Sequence, residues 1–412
     1  MQLAKLAWRN LWRRKRRTLI TAFSIAFGVL LAVTFTGTGD YAYTNMINAS
    51  ADMGMGHITI EPVGYHQTPS LDKRLQQAGQ IRDTVLSING VGNAYVRIIG
   101  QAMFASATKN VGGMFIAIDP EQETEPHNLL MRSLVEGKLF ADKKGRGIVI
   151  GTKLAEKLNL RLGKKLVYTT TDVQGEIVSE IARVTGIFHT GVNEVDGALV
   201  LLPIDRIRQT LNYQAHEATL VATLINDHRD ARRMQDTIAA QLTDSSPEIL
   251  TWQQTQPEMA GVVAMDRSSN YISQLLVGLL ITAGILNTLL MSVLERTREF
   301  GVMIAIGMAP RILFKLVILE SFWMALLGLI LGIVITAPWY WYLANVGIDF
   351  SAAMGTDYSA GGVLIDPIFK IRLYAESVTA ILLGVFMLTM ISGLYPAWRA
   401  GRIPPVESLK AM

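Results

Sequence analysis

The sequence predicts an integral membrane protein with four helical spans and one large α+β domain outside the bilayer. Three observations predict it. Half of the 412 residues are apolar and only 17% are charged, which is too apolar for an ordinary soluble chain. Four stretches contain no Asp, Glu, Lys or Arg: 18–39, 268–294, 321–348 and 377–398. Between the first and second lies a polar segment with alternating strand and helix patterns. Cysteine is absent, so a disulfide framework, a thiol nucleophile and Cys-ligated zinc are excluded.

Each charge-free stretch supplies the ~20 apolar residues that cross a ~30 Å hydrocarbon core. Helices satisfy their own backbone there. They are expected at 18–39, 271–294, 313–342 and 376–397. The first follows a basic segment as a signal peptide would, but its apolar part is long and no clear A-x-A site follows, so it reads as an uncleaved anchor. The spans leave a cytoplasmic helix at 1–17, an extracytoplasmic domain at 40–270, a cytoplasmic loop at 295–312, an outer loop at 343–375 and a cytoplasmic tail at 398–412.

Lys and Arg in the short flanks set that orientation. Lys5, Arg9, Arg13, Arg14, Lys15, Arg16 and Arg17 precede the first span. Arg296, Arg298, Arg311 and Lys315 lie between the second and third, and Arg399, Arg402 and Lys410 follow the fourth. All belong on the cytoplasmic side. Residues 40–271 carry 22 Lys+Arg against 26 Asp+Glu, net −4, while the remainder is +8. The basic balance therefore follows topology and not nucleic-acid binding.

In the outer segment, strands are expected at Gly56–Pro62, Asn93–Ser106, Gly112–Asp119, Glu217–Ile225 and Glu248–Trp252. Helices are expected at Ser70–Ile88, with a serine cap, and Asp230–Leu242. Two β-α-β units thus bracket the segment and pack as one α+β layer. The β-rich stretch between them reads as a second subdomain.

Motifs for chemistry are lacking. No G-x-x-x-x-G-K-[ST], G-x-S-x-G or H-E-x-x-H occurs. His57, His66, His127, His189, His216 and His228 are scattered without metal-ligand spacing. Asp119–Glu125 resembles a calcium loop only loosely and reads as a solvated turn, and Gly361–Gly362 as a simple turn. No catalytic, metal or cofactor residue is assigned in this chain.

The informative segment is Leu294–Pro310. Glu295, Arg296, Arg298 and Glu299 form a charged start, and Phe300, Val302, Met303, Ile304 and Ile306 an apolar continuation. Gly301 and Gly307 permit close approach or a break. One reading is a solvated re-entry loop with positive-inside anchors. The sharper one is a short helix along the membrane face that docks on a cytoplasmic partner. Leu3–Thr18 reads as an amphipathic helix, with Leu3, Leu6, Ala7 and Leu11 near one face and Trp8 and Trp12 four apart, suited to the lipid interface.

Within the membrane, Gly328 and Gly332 form G-x-x-x-G, which serves either dimer contact or packing within the chain. Glu320, five residues past Lys315, is a snorkelling or ion-paired carboxylate, or else a transmission residue. Asn287 reads as an interhelical hydrogen-bonder or, with Glu320, a transmission residue, and Phe35, Ile272 and Leu276 as flanks of a lipid-entry cleft.

The strings ERTREFGVMIAIG (295–307), LESFWMALLGLILGIVI (319–335) and LYPAWRAGRIPPVESLKAM (394–412), with GIVIGTKLAEKLNLRLGKKLVYTT in the middle, occur in the order of the FtsX-like/MacB-type (type VII) permeases of ABC transporters. The chain resembles that family over nearly its whole length. The resemblance implies a MacB-like periplasmic core, a dimer of permease chains, either homodimer or heterodimer, in the bacterial inner membrane, and a separate ATPase subunit that carries ATP–Mg. Glu295, Arg296, Arg298, Glu299, Phe300, Gly301 and Gly307 would form the ATPase-coupling element. Closure of the ATPase pair would then move spans and outer domain, the mode called mechanotransmission. The layout, without a fused ATPase domain, is closer to the lipoprotein-releasing Lol permeases than to the macrolide exporters. Three functions follow: extraction of lipoproteins or lipids from the outer face of the inner membrane, efflux of peptides or small amphiphiles through a periplasmic adaptor, or regulation of a cell-wall hydrolase as in the cell-division member. A membrane-anchored enzyme lacks a catalytic constellation.

Overall fold

The computed structural model describes residues 2–123, 125–242, 247–350, 359–360, 363–364 and 368–402. Gly361, Gly362 and Lys410 lie outside the described residues, as does the end of the 394–412 motif. The chain divides into two compact units. One comprises 1–41, 265–349 and 368–412, the other 42–264 and 350–367.

The first unit is helical. Among the described residues, four helices are long and apolar enough to span a membrane, running Lys15–Met55, Pro257–Glu295, Pro310–Asn345 and Ala375–Ala400, the first two with an end that belongs to the other unit. At 36 residues, the third is roughly 54 Å long, more than the ~30 Å hydrocarbon core requires. The N-terminal stretch forms two helices rather than one. Gln2–Arg13 ends at a turn on Arg14, and Lys15 starts the first span helix. Thr18 Oγ1 donates to the Leu11 carbonyl at 2.6 Å across that elbow. Trp8 stacks edge-on against Trp12 and Trp323, and Trp323 Nε1 donates to the Ala4 carbonyl at 3.1 Å. These contacts hold the amphipathic helix against the third span.

The helices pack through small and branched residues. Ala22, Ile25, Ile285, Leu289 and Met324 form one buried cluster, and Val29, Val33 and Ile381 another. Gly328 and Gly332 resolve the G-x-x-x-G question. A Cβ on Gly328 would lie 2.6 Å from Ile25 Cβ, and one on Gly332 3.0 Å from Val29 Cβ. The motif packs the third span on the first within one chain.

The second unit is a ten-stranded sheet with helices. Its strands are β1 (Ile58–Glu61), β2 (Val91–Ala105), β3 (Asn110–Ile118), β4 (Leu134–Gly137), β5 (Gly147–Gly151), β6 (Lys165–Thr171), β7 (Ile177–Phe188), β8 (Leu199–Pro203), β9 (Leu220–Ile225) and β10 (Glu248–Thr251). The order is β10-β1-β9-β2-β3-β8-β5-β7-β4, with β6 against β2 and β7. The expected β-α-β pairs are present. β1 and β2 flank β9, and β10 flanks β1, all antiparallel, in a split β-α-β arrangement. Gly56 enters β1 at φ 77°, where a Cβ would strike the Thr223 backbone at 2.7 Å.

Two expectations change. The helix expected at Ser70–Ile88 spans only Ala78–Leu86. Ser70 bonds Asp72 instead of capping, Lys73 Nζ bonds the carbonyls of Gly64 and Thr68, and Leu75 bridges Ala218. Tertiary contacts thus claim the first two turns. The middle stretch is not a separate subdomain, because β2 pairs with β9 through Val91–Arg97 and with β3 through Ile98–Ala105. One strand carries both parts as a continuous sheet.

Two buried titratable groups shape this unit. Burial and the facing Glu248 push the Glu61 carboxyl up to about 7, and burial beside His228 pushes His57 down to about 4. A raised carboxyl stabilises the fold below its unfolded value near 4.5, and that contribution is lost as pH rises through 7. The depressed histidine acts oppositely: its contribution is present above 6.5 and lost as pH falls towards 4. The two slopes oppose each other between pH 4.5 and 6.5. Glu61→Gln is therefore expected to stabilise the chain at pH 8 by about 1–3 kcal/mol and to have little effect at pH 4.5. Thermal unfolding of wild type and variant at both pH values checks this; an equal shift at both would refute it.

Candidate functional site

The site grows from the way the second span ends. The helix Pro257–Glu295 stops at Glu295, and Arg296 leaves helical geometry at φ −105°, ψ 14°. A short helix, Thr297–Ala305, follows. Gly307 at φ 102° reverses the chain, its N–H donating to the Ile304 carbonyl at 2.9 Å, as Met308 N does to Met303. Such a closing turn needs left-handed backbone, which glycine adopts without strain. Pro310 then opens the third span at its first turn.

The short helix has two unlike faces. Phe300 is fully buried among Ala7, Val293, Leu313, Leu316, Ala397 and Ala400, and Gly301 is buried beside it. Arg298, Val302, Ala305 and Ile306 face outward, with Ile306 82% exposed. This open isoleucine directly follows a helix whose other face is fixed by packing.

Arg296 is the centre of a charge network. Its Nη1 donates to both Glu320 oxygens at 2.8 and 3.1 Å, and its Nε to Glu299 Oε2 at 3.2 Å. Its guanidinium lies 4.9 Å from the Phe300 ring centroid. The Arg296 and Glu320 side chains are only 11% and 9% exposed. Asn10 Nδ2 donates to Glu320 Oε1 at 2.8 Å, and Arg13 pairs with Glu299 at 3.3 Å. Arg14 and Arg17 both pair with Glu295, and Arg17 Nη2 also donates to the Thr288 carbonyl. The network joins the N-terminal helix, the end of the second span, the short helix and the third span.

The geometry corrects several expectations. Glu295 and Arg296 precede the short helix and do not lie on it. Glu295, Arg296 and Glu299 bond within the chain, which leaves Arg298 as the outward charge. The partner of Glu320 is Arg296 and not the nearby Lys315. Asn287 is exposed and makes no hydrogen bond to another described residue, so the expected bond between helices of this chain is absent. Phe35, Ile272 and Leu276 are all exposed, in the middle of the first two helices, which run on past the expected span ends. There Gln274 Nε2 donates to Thr36 Oγ1 at 2.9 Å, a link the sequence reading missed. The polar Thr36 and Gln274 within two apolar helices are the signal that could have pointed to it.

In the sheet-bearing unit, Asp119–Glu125 is not a solvated turn throughout. Glu123 is buried in a two-pronged pair with Arg97 at 2.6 and 2.9 Å, and Asn128 donates to it at 2.8 Å. Among the described residues no group of three or more His, Asp or Glu could hold a metal ion. An open groove there is lined by Met103, Met114, Thr169, Thr171 and Ile177, with Ile177 largely exposed.

The FtsX-like permease C-terminal family matches residues 271–405, and the MacB-like periplasmic core domain matches residues 18–245. An uncharacterized ABC transporter permease of Methanocaldococcus jannaschii is 24% identical, over 98% of this chain and 96% of its own. The lipoprotein-releasing system transmembrane protein LolE of Haemophilus influenzae is 23% identical, over 84% of this chain and 81% of its own. The macrolide export ATP-binding/permease protein MacB of Psychrobacter arcticus is 22% identical over 96% of this chain, which corresponds to 57% of MacB.

Proposed function

The chain belongs to the FtsX-like ABC transporter permeases that carry a MacB-like periplasmic core domain, and from that membership we propose that it extracts lipoproteins or lipids from the outer face of a bacterial inner membrane, driven by a separate ATPase subunit. The observation that carries the coupling is the divided short helix. Its inner face is locked by Phe300 and by the bond from Glu299 back to Arg296, while Arg298, Val302, Ala305 and the following Ile306 are left for another protein. A partner that moves this helix also moves the second and third spans through the Arg296–Glu299–Glu320 bonds. The ATPase holds ATP–Mg, and its docking end of the spans is the cytoplasmic one, where the N-terminal helix and the fourth-span end also lie. A second permease protomer completes the assembly. The exposed Asn287, Ile272 and Leu276 on the second span suit a protomer or a lipid cargo. Lipoprotein release is favoured by likeness to a relative so named, over a comparable share of both chains.

A second reading, efflux through a periplasmic adaptor, is favoured by the apolar groove at Met103, Met114 and Ile177 and by the macrolide exporter among the relatives. The test is isolation of the full chain from its native membrane in gentle detergent, with bound proteins identified by mass. Wild type is expected to retain an ATPase, and Arg298→Glu/Ile306→Asp to retain at least tenfold less. A co-isolated lipoprotein supports release, an adaptor supports efflux, and a cell-wall hydrolase would move the chain to the regulatory branch. Absence of any ATPase from the intact wild-type chain would refute the permease mechanism.

A further inference from the structure

A cavity of about 240 Å³ opens beside the charge network, with room for far more than one water molecule. Its walls come from the N-terminal helix, the first turns of the first span, the end of the second span and the third span. Four guanidinium groups line it, those of Arg13, Arg14, Arg17 and Arg296, against two lining carboxylates, Glu299 and Glu320. Counting Glu295, which Arg14 and Arg17 share, the cations remain in excess by one. Their pairing is also incomplete. Arg296 Nη2 is buried with no partner, and Arg17 Nη2 donates only to a main-chain carbonyl. A buried N–H of a charged group left unbonded is unfavourable, so an added acceptor that Arg296 can turn to meet would be favoured. Arg13 and Arg14 are half exposed at the opening, each holding its carboxylate partner from the solvent side. Guanidinium forks of this kind match phosphate oxygens in pairs.

We infer that this cavity binds the phosphate of an anionic phospholipid headgroup. Exposed apolar residues beside the lining favour a lipid over a free ion. Leu19 and Ile20 adjoin the lining Thr18 and Thr21, and Met291 adjoins the lining Ser292. All three apolar side chains are exposed, so acyl chains would have a surface to lie on. The headgroup would bridge the N-terminal helix to Arg296, and through it to the short helix and third span. The occupant therefore bears on how firmly the network holds.

The test needs no ATPase or cargo, so its outcome is separable from that of the proposed transport function. The purified full chain in neutral detergent is titrated with dioctanoyl phosphatidylglycerol, dioctanoyl phosphatidylcholine or inorganic phosphate, and its melting temperature is followed. Phosphatidylglycerol is expected to raise the melting temperature saturably, and the other two are not. Arg13→Gln/Arg14→Gln is expected to weaken the apparent affinity at least tenfold relative to its own lipid-free state. Lys15→Gln/Arg16→Gln, which removes two neighbouring cations outside the cavity, is expected to keep it. Equal weakening by both pairs would mean diffuse attraction to a basic helix and would overturn the site. A saturable, Arg13/Arg14-dependent shift with inorganic phosphate alone would overturn the lipid assignment. No shift with any of the three would overturn the inference altogether.

Discussion

Replacing Glu320 with alanine is expected to destabilise the chain by about 3–5 kcal/mol, because Arg296 then keeps its charge in a buried site without its main partner. The cost comes from desolvation. Glu320 accepts two bonds from Arg296 Nη1 and one from Asn10 Nδ2, and a single truncation orphans both donor nitrogens. Glu320→Gln retains an oxygen acceptor but no charge, and is expected to cost about half as much, near the ~1.5–3 kcal/mol of a hydrogen bond to a charged group. Arg296→Met/Glu320→Leu is expected to recover most of the loss, since removing both ions also removes their desolvation. Unfolding of the purified full chain across this double-mutant cycle measures the coupling. Additive losses would show that the pair does not interact as its 2.8 Å geometry requires. The apolar pair serves a second purpose. If the network transmits movement, the restored chain remains folded yet fails to couple ATP hydrolysis to cargo release. If the pair is only a staple, both properties return together.

The second large effect is steric. Gly328→Val is expected to cost about 3 kcal/mol, at the upper end of overpacking, because even a Cβ would lie 2.6 Å from Ile25 Cβ, with further Ile25 atoms at 2.6 and 2.9 Å. Two helix backbones would have to separate, since Ile25 is itself fully buried. Gly332→Val, with its nearest contact at 3.0 Å, is expected to cost less. Gly384→Ala on the fourth span meets nothing within 4 Å and should be neutral or slightly stabilising, as alanine is the better helix former. Melting temperatures should therefore rank Gly384→Ala above Gly332→Val above Gly328→Val. A tolerated Gly328→Val would mean that the first and third spans do not pack as closely as described.

Much of the architecture was legible because charge is costly in hydrocarbon. Its absence over four stretches marks the spans without reference to packing. The strands of the outer domain were likewise readable from local pattern, β2 and β10 to within two residues. What was not legible depends on contacts distant in sequence. Lys315 seemed the natural neighbour of Glu320, yet residues five apart do not share a helix face, whereas Arg296 reaches it only after the chain reverses at Gly307. The sequence marked Asn287 as polar in an apolar helix, but with helices on several sides it could not say which face turns outward. Arg97 offered a clue that went unused. An arginine between Val96 and Ile98 in a strand sits where burial is expected and calls for a carboxylate, and the acidic run containing Glu123 supplied it.

The most direct test of the coupling claim uses the absence of native cysteine. A single Ile306→Cys gives a unique thiol on the outward face of the short helix, where the native side chain is 82% exposed. A membrane-impermeant maleimide is applied to intact cells, to opened membranes, and to the purified chain with and without its co-isolated ATPase. No labelling is expected in intact cells, rapid labelling of the ATPase-free chain, and strong protection when the ATPase is bound. Labelling from outside intact cells, or equal labelling rates with and without the bound ATPase, would contradict the coupling claim.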